Sequence, residues 1–448
     1  MSKFRKKTPH YSQSHLSTKH SQGTLMGNYG NKLLPVGLIF PFAIGYLVAP
    51  NSIDSVKASL EESPKTVVDQ VWQIVNNDYV DSNFNQVDWR KKRQELLNRN
   101  YTDKQQAYKA IEQALQTLQD PYTRFLEPSE YQLLSRQTSG ELSGIGIRME
   151  IDSQTKNLVV VESLKNSPAS KAGIKTGDRI LKINGKPTSL MSLEQASEEI
   201  RGEVGTEVKL EISRQGQEVS QLTLTRAQIE VNSVIYALKQ EESMRVGYIK
   251  LNEFTSHSAK QMKKAIRELK DKRVSSFILD VRGNPGGLLF ASIEIAKMWV
   301  EKGTIVHTVD RKGGDKVYSA DGTAITNLPM VVLVDGNSAS SSEILAGALK
   351  DNGRATVVGT RTYGKGTVQS VHPLSDGSGL VVTIFRYYPP SRIDINKEGI
   401  SPNIEQDLSA EEQLRLKSNP SLIATSADPQ YMRAIAVLNQ KQSKSPRL

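Results

Sequence analysis

The 448-residue chain contains no cysteine. This absence excludes disulfide bonds, thiolate metal sites and a cysteine nucleophile together. It leaves the compartment open, because an exported protein can do without disulfides. At this length two or three domains are expected, each able to bury its own core.

Histidine is also scarce, with six residues in the whole chain. Three of them precede an apolar segment at 33–49, and the other three are His257, His307 and His372. None of these three lies in a sequence context typical of catalysis, so a Ser/His/Asp triad is disfavoured. We expect neither a metal ion nor an organic cofactor.

The chain carries little excess charge outside its first residues. The formal net charge is +10, and six basic residues with no acidic one lie within residues 1–32. The remaining chain is therefore close to balanced and shows no basic cluster of the kind that binds nucleic acid. We predict no nucleic-acid partner.

One uncharged apolar run spans residues 33–49. As a helix its 17 residues would extend about 25 Å, slightly less than the ~30 Å hydrocarbon core of a membrane. Basic residues precede it, which predicts a cytoplasmic N-terminus and an exported body. Small residues at 56–58 would permit cleavage, so a signal peptide and a membrane anchor both stay open. The pattern therefore predicts export of the body across a membrane.

The rest of the sequence predicts an α+β multidomain protein. Residues 65–136 show helical periodicity, and residues 137–227 read as a small β module with Gly, Asn and Pro turns. Residues 228–410 alternate apolar strands with helices, which indicates a sheet covered on both faces. Residues 411–448 read as a polar C-terminal tail with one short helical run at 432–438.

The segment from Val331 to Gln369 carries the strongest chemical signal. Ser340 follows an apolar strand and precedes a helix that begins near Glu343, a position that exposes a nucleophile to the helix N-terminus. Lys365 lies in a glycine-lined loop, where burial could make its amine neutral and hence a base. That change requires a pKa lower by roughly three units, or about 4 kcal/mol. The side-chain amide of Gln369 could orient the Lys365 amine by hydrogen bonding. Unlike a carboxylate, it would not favour the protonated form of that amine.

A glycine-rich turn, residues 283–287, follows the predicted strand at 275–281. Its backbone N–H groups could stabilise an oxyanion. An ordinary strand-to-helix turn explains the same glycines equally well, and both interpretations stay open at this point.

Six motifs in order resemble those of the carboxyl-terminal processing (tail-specific) serine peptidases. They are FNQVDW at 84–89, DPYTRFLEP at 120–128, a PDZ stretch from SGIGIRME to SPASKAGIKTGDRILKING, DVRGNPGGLL, SASSSEI and GKGTVQ. The resemblance covers about residues 65–407. Any one motif alone would be weak, but the ordered set is specific.

The resemblance implies a role for each site residue. Ser340 would be the nucleophile, Lys365 the general base and Gln369 its positioning partner, with the N–H groups of Gly286 and Ser341 as the oxyanion hole. The β module would be a PDZ domain, and the core a crotonase-like α/β peptidase fold. The backbone of Gly144, Ile145, Gly146 and Ile147 would bind the free C-terminus of an unstructured protein tail.

Family members process exported proteins from the C-terminus, so the resemblance implies a location in the periplasm or the thylakoid lumen. In oxygenic phototrophs their substrates include the photosystem II reaction-centre precursor, which the resemblance makes a candidate partner here. Two departures from the family pattern are mild: Asp335 replaces a more usual Asn, and Ser341 a common Ala. Ser338, Ser341 and Ser342 remain rival hydroxyls, and the motif register selects Ser340.

Two other functions fit the same residues. One is a binding or scaffold protein, in which a PDZ domain accompanies an inactive peptidase fold. The other is an amidase or esterase that uses the same dyad. The presence of Ser340, Lys365 and Gln369 together favours the peptidase.

Overall fold

A computed structural model describes residues 63–444, apart from 153, 215, 216 and 243. Within this part of the chain, no helix has the length and apolar character needed to cross a membrane. The predicted signal peptide or anchor at 33–49 and the basic region at 1–32 lie outside the described residues.

The N-terminal region is mainly helical, as its periodicity predicts. Its elements are α1 (Pro64–Asp78), α2 (Trp89–Asn98), α3 (Lys104–Gln116), the short strand β1 (Arg124–Leu126) and α4 (Pro128–Ser139). Asp88 and Asp103 cap α2 and α3 by accepting backbone N–H groups at 2.9 Å, which satisfies donors that a helix start leaves free.

The helical region does not complete its core alone. Val71 and Ile111 pack with Leu380 and Val382, which lie on β18 (Gly379–Tyr388) of the C-terminal half. Strand β1 also pairs antiparallel with β18. The sequence predicted a separate domain at 65–136, whereas the structure joins these helices to the catalytic part through a shared core.

The described residues of the β module form seven strands and two short α-helices. They are β2 (Glu141–Gly144), β3 (Ile147–Ile151), β4 (Leu158–Ser163), α5 (Pro168–Lys171), β5 (Arg179–Ile183), β6 (Lys186–Pro187), α6 (Leu193–Ile200), β7 (Glu207–Ser213) and β8 (Ser220–Thr225). The main sheet has the order β3-β4-β5-β7-β8. Strand β2 pairs with β9 (Ala227–Glu230), so these two strands connect the module to the rest of the chain.

The catalytic half contains a mostly parallel six-stranded sheet. It comprises β10 (Val234–Glu241), β11 (Met244–Leu251), β12 (Ser276–Asp280), β15 (Met330–Val334), β16 (Thr356–Gly359) and β19 (Ile404–Glu405), adjacent in that order. Strand β10 alone is antiparallel to its neighbour. Alternate residues face opposite sides of a strand, and both faces here are buried, as the apolar strands predict.

Helices α7 (Ser258–Asp271), α8 (Leu289–Lys297) and α9 (Ser341–Asp351) cover one face of this sheet. A second sheet has the order β1-β18-β13-β14, with β17 also paired to β18. Its further strands are β13 (Thr304–Val309), β14 (Asp315–Ser319) and β17 (Thr367–Pro373). This arrangement places the serine-rich block at the end of β15 and the lysine loop between β16 and β17.

The C-terminal residues differ from the predicted polar tail. They form α10 (Ala410–Ser418) and α11 (Pro429–Lys444), and α11 covers the second face of the parallel sheet. Tyr431, Ala434, Ile435 and Leu438 pack there against sheet residues such as Ile278. Their spacing follows one face of a helix, and an apolar sheet face needs such a cover, which explains why the segment is structural.

Replacing Leu438 with Ala tests whether α11 is part of the core. Leu438 is fully buried, so we expect the free energy of unfolding to fall by about 2–5 kcal/mol. Leu414→Ala on α10 is the matched control, since Leu414 is 66% exposed and should change stability by about 0.5 kcal/mol or less. Urea denaturation measures both, and equal effects would contradict the packing role of α11.

Candidate active site

Ser340 lies in the turn that connects β15 to α9. Its backbone has φ 54° and ψ −115°, a conformation that L-residues rarely adopt and that is often found at functional sites. Because a positive φ is not helical, Ser340 lies just outside the helix that begins at Ser341.

The other three serines of the block are structural. Their hydroxyls donate at 2.9 Å to backbone carbonyls: Ser341 to Gly287 and Ser342 to Asn284 in the glycine-rich turn, and Ser338 to Val281 just before it. Within residues 63–444 no carbonyl accepts from the Ser340 hydroxyl. The structure therefore leaves Ser340 as the serine of this block whose oxygen is available for chemistry.

The buried carboxylate of Glu343 connects the serine turn to the lysine loop. One oxygen accepts the N–H groups of Ser340 at 2.8 Å and Lys365 at 2.9 Å. The other accepts the Thr362 hydroxyl at 2.6 Å and the Gly364 N–H at 2.7 Å. The backbone nitrogens of Ser340 and Lys365 thus share one acceptor and lie within two hydrogen-bond lengths of each other.

The amine of Lys365 lies over the ring of Tyr122, with 4.6 Å between Nζ and the ring centroid. Burial lowers the pKa of Lys365, and the positive charge of Arg124 lowers it further. Asp120 and Glu343 act in the opposite direction but do not outweigh them. A lowered pKa is the property that a lysine base requires.

Tyr122 was not singled out by the sequence as a site residue. Burial, together with a hydrogen bond to Tyr363, raises its pKa to about 12, so the phenol stays neutral at ordinary pH. Its ring shields the Lys365 amine from water on one side. Tyr122 belongs to the motif DPYTRFLEP, but it is far from Lys365 in sequence. The contact between the two residues therefore could not be predicted.

The structure brings Ser340 and Lys365 together through their backbones but not through their side chains. Within the described residues, the Ser340 hydroxyl and the Lys365 amine form no hydrogen bond. Gln369 lies on β17, and its amide donates to the hydroxyls of Thr367 at 3.0 Å and Thr383 at 3.2 Å. It makes no hydrogen bond to the lysine amine in this conformation.

The glycine-rich turn lies directly against the serine turn. A Cβ added to Gly286 would be 2.8 Å from the carbonyl oxygen of Ala339 and 2.9 Å from Cβ of Ser340, and φ at Gly286 is 108°. Only glycine fits such a position. The Gly286 N–H donates to Oδ1 of Asn284 at 2.9 Å, while the Ser341 N–H has no acceptor within the described residues.

Asn284 is a second residue that the sequence did not indicate. It is fully buried, and its Nδ2 donates to the carbonyl of Leu251 at 2.9 Å. Its own carbonyl accepts the N–H of Ala339. The glycines around Asn284 predict a turn. Its hydrogen-bond partners are distant in sequence, so the sequence does not predict them.

The four residues assigned to tail binding form the connection between β2 and β3. Gly144 pairs with Ala227 on β9, and the side chain of Ile145 is fully buried in the core of the β module. Gly146 has φ 77°. Ile147 begins β3, which is an edge strand of its sheet and has no second strand partner among the described residues.

Comparison with known proteins identifies the family of the chain. The model of peptidase family S41 matches residues 245–406, and that of the PDZ domain matches residues 132–213. The carboxyl-terminal-processing protease of Synechocystis sp. is 40% identical over 90% of this chain and 92% of its own length. The chloroplastic carboxyl-terminal-processing peptidase 2 of Arabidopsis thaliana is 40% identical over 75% of this chain and 67% of its own.

Among solved structures, a photosystem II D1 C-terminal processing protease superposes with a TM-score of 0.52 at 36% identity, covering 82% of this chain and 99% of that one. A PDZ domain joined to an S41 core defines the class as a PDZ-containing peptidase. The chain belongs to peptidase family S41, among the carboxyl-terminal-processing peptidases. The predicted enzyme class and the α+β multidomain fold are confirmed.

Glu343→Gln tests the carboxylate that connects the two loops. The glutamine side chain has one acceptor oxygen where glutamate has two. Two of the four groups that donate to Glu343 would therefore face the NH2 group of the variant. Because a buried donor without an acceptor costs about 1–3 kcal/mol, we expect the free energy of unfolding to fall by about 2 kcal/mol or more. Thermal or urea unfolding of the purified protein measures this.

Glu412→Gln is the control for that measurement. Glu412 occupies the same position in the first turn of α10 and accepts one backbone N–H, from Ser409 at 2.8 Å, at a more exposed site. Its replacement should cost less than about 1 kcal/mol. Equal losses in the two variants would mean that Glu343 only caps its helix.

Proposed function

We propose that the protein is a serine endopeptidase in which Ser340 is the nucleophile and Lys365 the general base. The observation that carries this proposal is a lysine of lowered pKa whose loop shares a buried carboxylate with the turn of the nucleophile. The structural roles of Ser338, Ser341 and Ser342 support the assignment of Ser340.

In the proposed reaction, Oγ of Ser340 attacks the carbonyl carbon of the scissile bond while the neutral Lys365 amine takes its proton. The resulting oxyanion would accept the N–H groups of Gly286 and Ser341. Collapse of this intermediate breaks the C–N bond, and the lysine ammonium protonates the leaving amine. Water then hydrolyses the acyl-enzyme with Lys365 again as base.

Two local changes would bring the described conformation to this state. The Lys365 amine must move from the face of Tyr122 toward Ser340, where the amide of Gln369 would orient it. The substrate oxygen must replace Asn284 as the acceptor of the Gly286 N–H. Each change exchanges one contact of the described conformation for another.

The proposed substrates are exported proteins with free, unstructured C-termini. The tail would add as a strand to the open edge of β3, and the backbone from Gly144 to Ile147 would bind its carboxylate. The similar solved structure is that of a photosystem II D1 C-terminal processing protease, which supports the reaction-centre precursor as a candidate substrate. Residues 33–49 would deliver the enzyme to the periplasm or the thylakoid lumen, released or anchored.

Substitutions at the dyad test the proposed chemistry. Ser340→Ala removes the nucleophile, and Lys365→Arg retains a charged side chain that cannot become a neutral base. We expect each to abolish cleavage of a tailed protein substrate, a loss of at least about 10⁴-fold. Mass spectrometry of the fragments measures this. Ser135→Ala and Lys109→Arg, both at exposed positions of helices, should retain full activity.

Two results would contradict the proposal. Full cleavage by either dyad variant would exclude the assigned roles. Binding of tails by the unmodified protein without cleavage between pH 6 and 10 would instead favour an inactive scaffold. Hydrolysis of small esters that does not depend on a peptide carboxylate would indicate an esterase.

The pH dependence of kcat/KM gives a second test. The neutral amine predominates only above its own pKa, so activity should rise with pH through the pKa of Lys365, which lies below the ordinary 10.5. Arg124→Gln removes a positive neighbour that lowers this pKa, so the rise should shift to higher pH. Arg93→Gln, which breaks the exposed pair with Asp69, should leave it in place. A shift to lower pH in Arg124→Gln would exclude Lys365 as the base.

A further inference from the structure

A buried ionic cluster lies at the start of the glycine-rich turn. Arg282 directly precedes that turn, and its guanidinium contacts the carboxylates of Asp280 and Asp428 and the amide oxygen of Gln430, at 2.7–3.0 Å. Asp280 and Asp428 are fully buried, and Gln430 is 1% exposed. Lys250 donates to Asp280 at 3.3 Å, so two carboxylates and two cations balance each other.

This cluster fixes the backbone of Arg282 as well as its side chain. The N–H of Arg282 donates to Asp280 at 3.0 Å, and its carbonyl accepts the amine of Lys250. The next N–H, that of Gly283, donates to Asp335 at 2.8 Å. The first half of the turn is therefore held on both sides, and the proposed oxyanion donor Gly286 follows three residues later.

Asp428 comes from a distant part of the chain. It directly precedes α11, and it accepts the N–H groups of Ala424 at 3.1 Å and Tyr431 at 3.2 Å. A buried arginine that loses one carboxylate keeps an uncompensated charge, which is strongly unfavourable. The C-terminal helix is thus connected to the glycine-rich turn by a contact that cannot be lost without disturbing Arg282.

We propose that Asp428 is a positioning residue for the peptidase reaction and acts through Arg282 on the oxyanion turn. This inference rests on the proposed function, because the turn matters to catalysis only if Gly286 donates to the oxyanion. A preorganised donor stabilises the transition state more than the bound substrate. Loss of Asp428 should therefore lower kcat, while KM for a tail bound by the PDZ domain stays nearly constant.

Asp428→Gly in the full chain tests the proposal. Glycine is tolerated at an N-cap position, so the helix should persist, although loss of the buried carboxylate lowers the stability of the fold. We expect kcat to fall by about 10- to 100-fold, less than the ~10²–10³-fold loss that removal of a whole donor causes. Tyr431→Phe is the matched control, since it removes a 2.7 Å bond to Glu241 from the same helix without touching Arg282.

Formate distinguishes a positioning role from a purely structural one. A cavity of about 580 Å³ is lined by Arg282, Asp280, Gln430 and Lys250, so a small carboxylate can reach the guanidinium once Asp428 is absent. Added formate should restore at least several-fold of the lost kcat in Asp428→Gly and change nothing in Tyr431→Phe. A kcat equal to that of Tyr431→Phe, or no rescue, would overturn the proposal.

Hydrogen exchange of the backbone amides within residues 283–287 distinguishes a failure of this inference from a failure of the proposed function. Exchange should be faster in Asp428→Gly than in Tyr431→Phe, and this measurement needs no catalysis. If the turn exchanges faster but the unmodified protein cleaves nothing, the link from Asp428 to the turn stands and the peptidase mechanism fails. Unchanged exchange would overturn the link itself.

Discussion

The carboxylate of Glu343 is the contact on which the arrangement of the site depends. It accepts four hydrogen bonds from two segments that are about twenty residues apart in sequence, which compensates its complete removal from water. The N–H groups of Ser340 and Lys365 donate to the same oxygen of this carboxylate. Neither backbone can therefore move relative to the other without losing a hydrogen bond to Glu343. The backbone therefore preorganises the proposed nucleophile and the proposed base.

The hydroxyls of Ser338, Ser341 and Ser342 explain why the block is so rich in serine. Each donates to a backbone carbonyl in the glycine-rich turn or just before it, so the two turns form one rigid unit with positive φ at Ser340 and Gly286. Such backbone conformations persist only where surrounding contacts enforce them. The serine motif thus supplies one candidate nucleophile and three residues that hold it in place.

The sequence predicted the features that depend on local pattern. Apolar alternation located the strands and helices around Ser340 and Lys365, and glycine spacing located the turn at 283–287. Features that depend on distant partners were not predictable: Glu343 resembles an ordinary capping residue, and Asn284 an ordinary turn residue. The sequence predicts a tail rather than a helical cover at 429–444, because the apolar stripe there is short and flanked by polar residues. The apolar strands do predict that the sheet needs a cover on this face.

The energetics of the Lys365 side chain indicate how the described conformation relates to an active one. An ammonium over an aromatic ring gains about 0.5–2 kcal/mol, a contact that favours the charged form, whereas burial and Arg124 favour the neutral form. Movement of the amine off the Tyr122 ring removes the contact that favours charge, as its proposed role as a general base requires. The exchange of Asn284 for a substrate oxygen at Gly286 involves a net energy of similar size, about 0.5–1.5 kcal/mol. Binding of a peptide tail can supply both amounts, so substrate binding and completion of the site would be coupled.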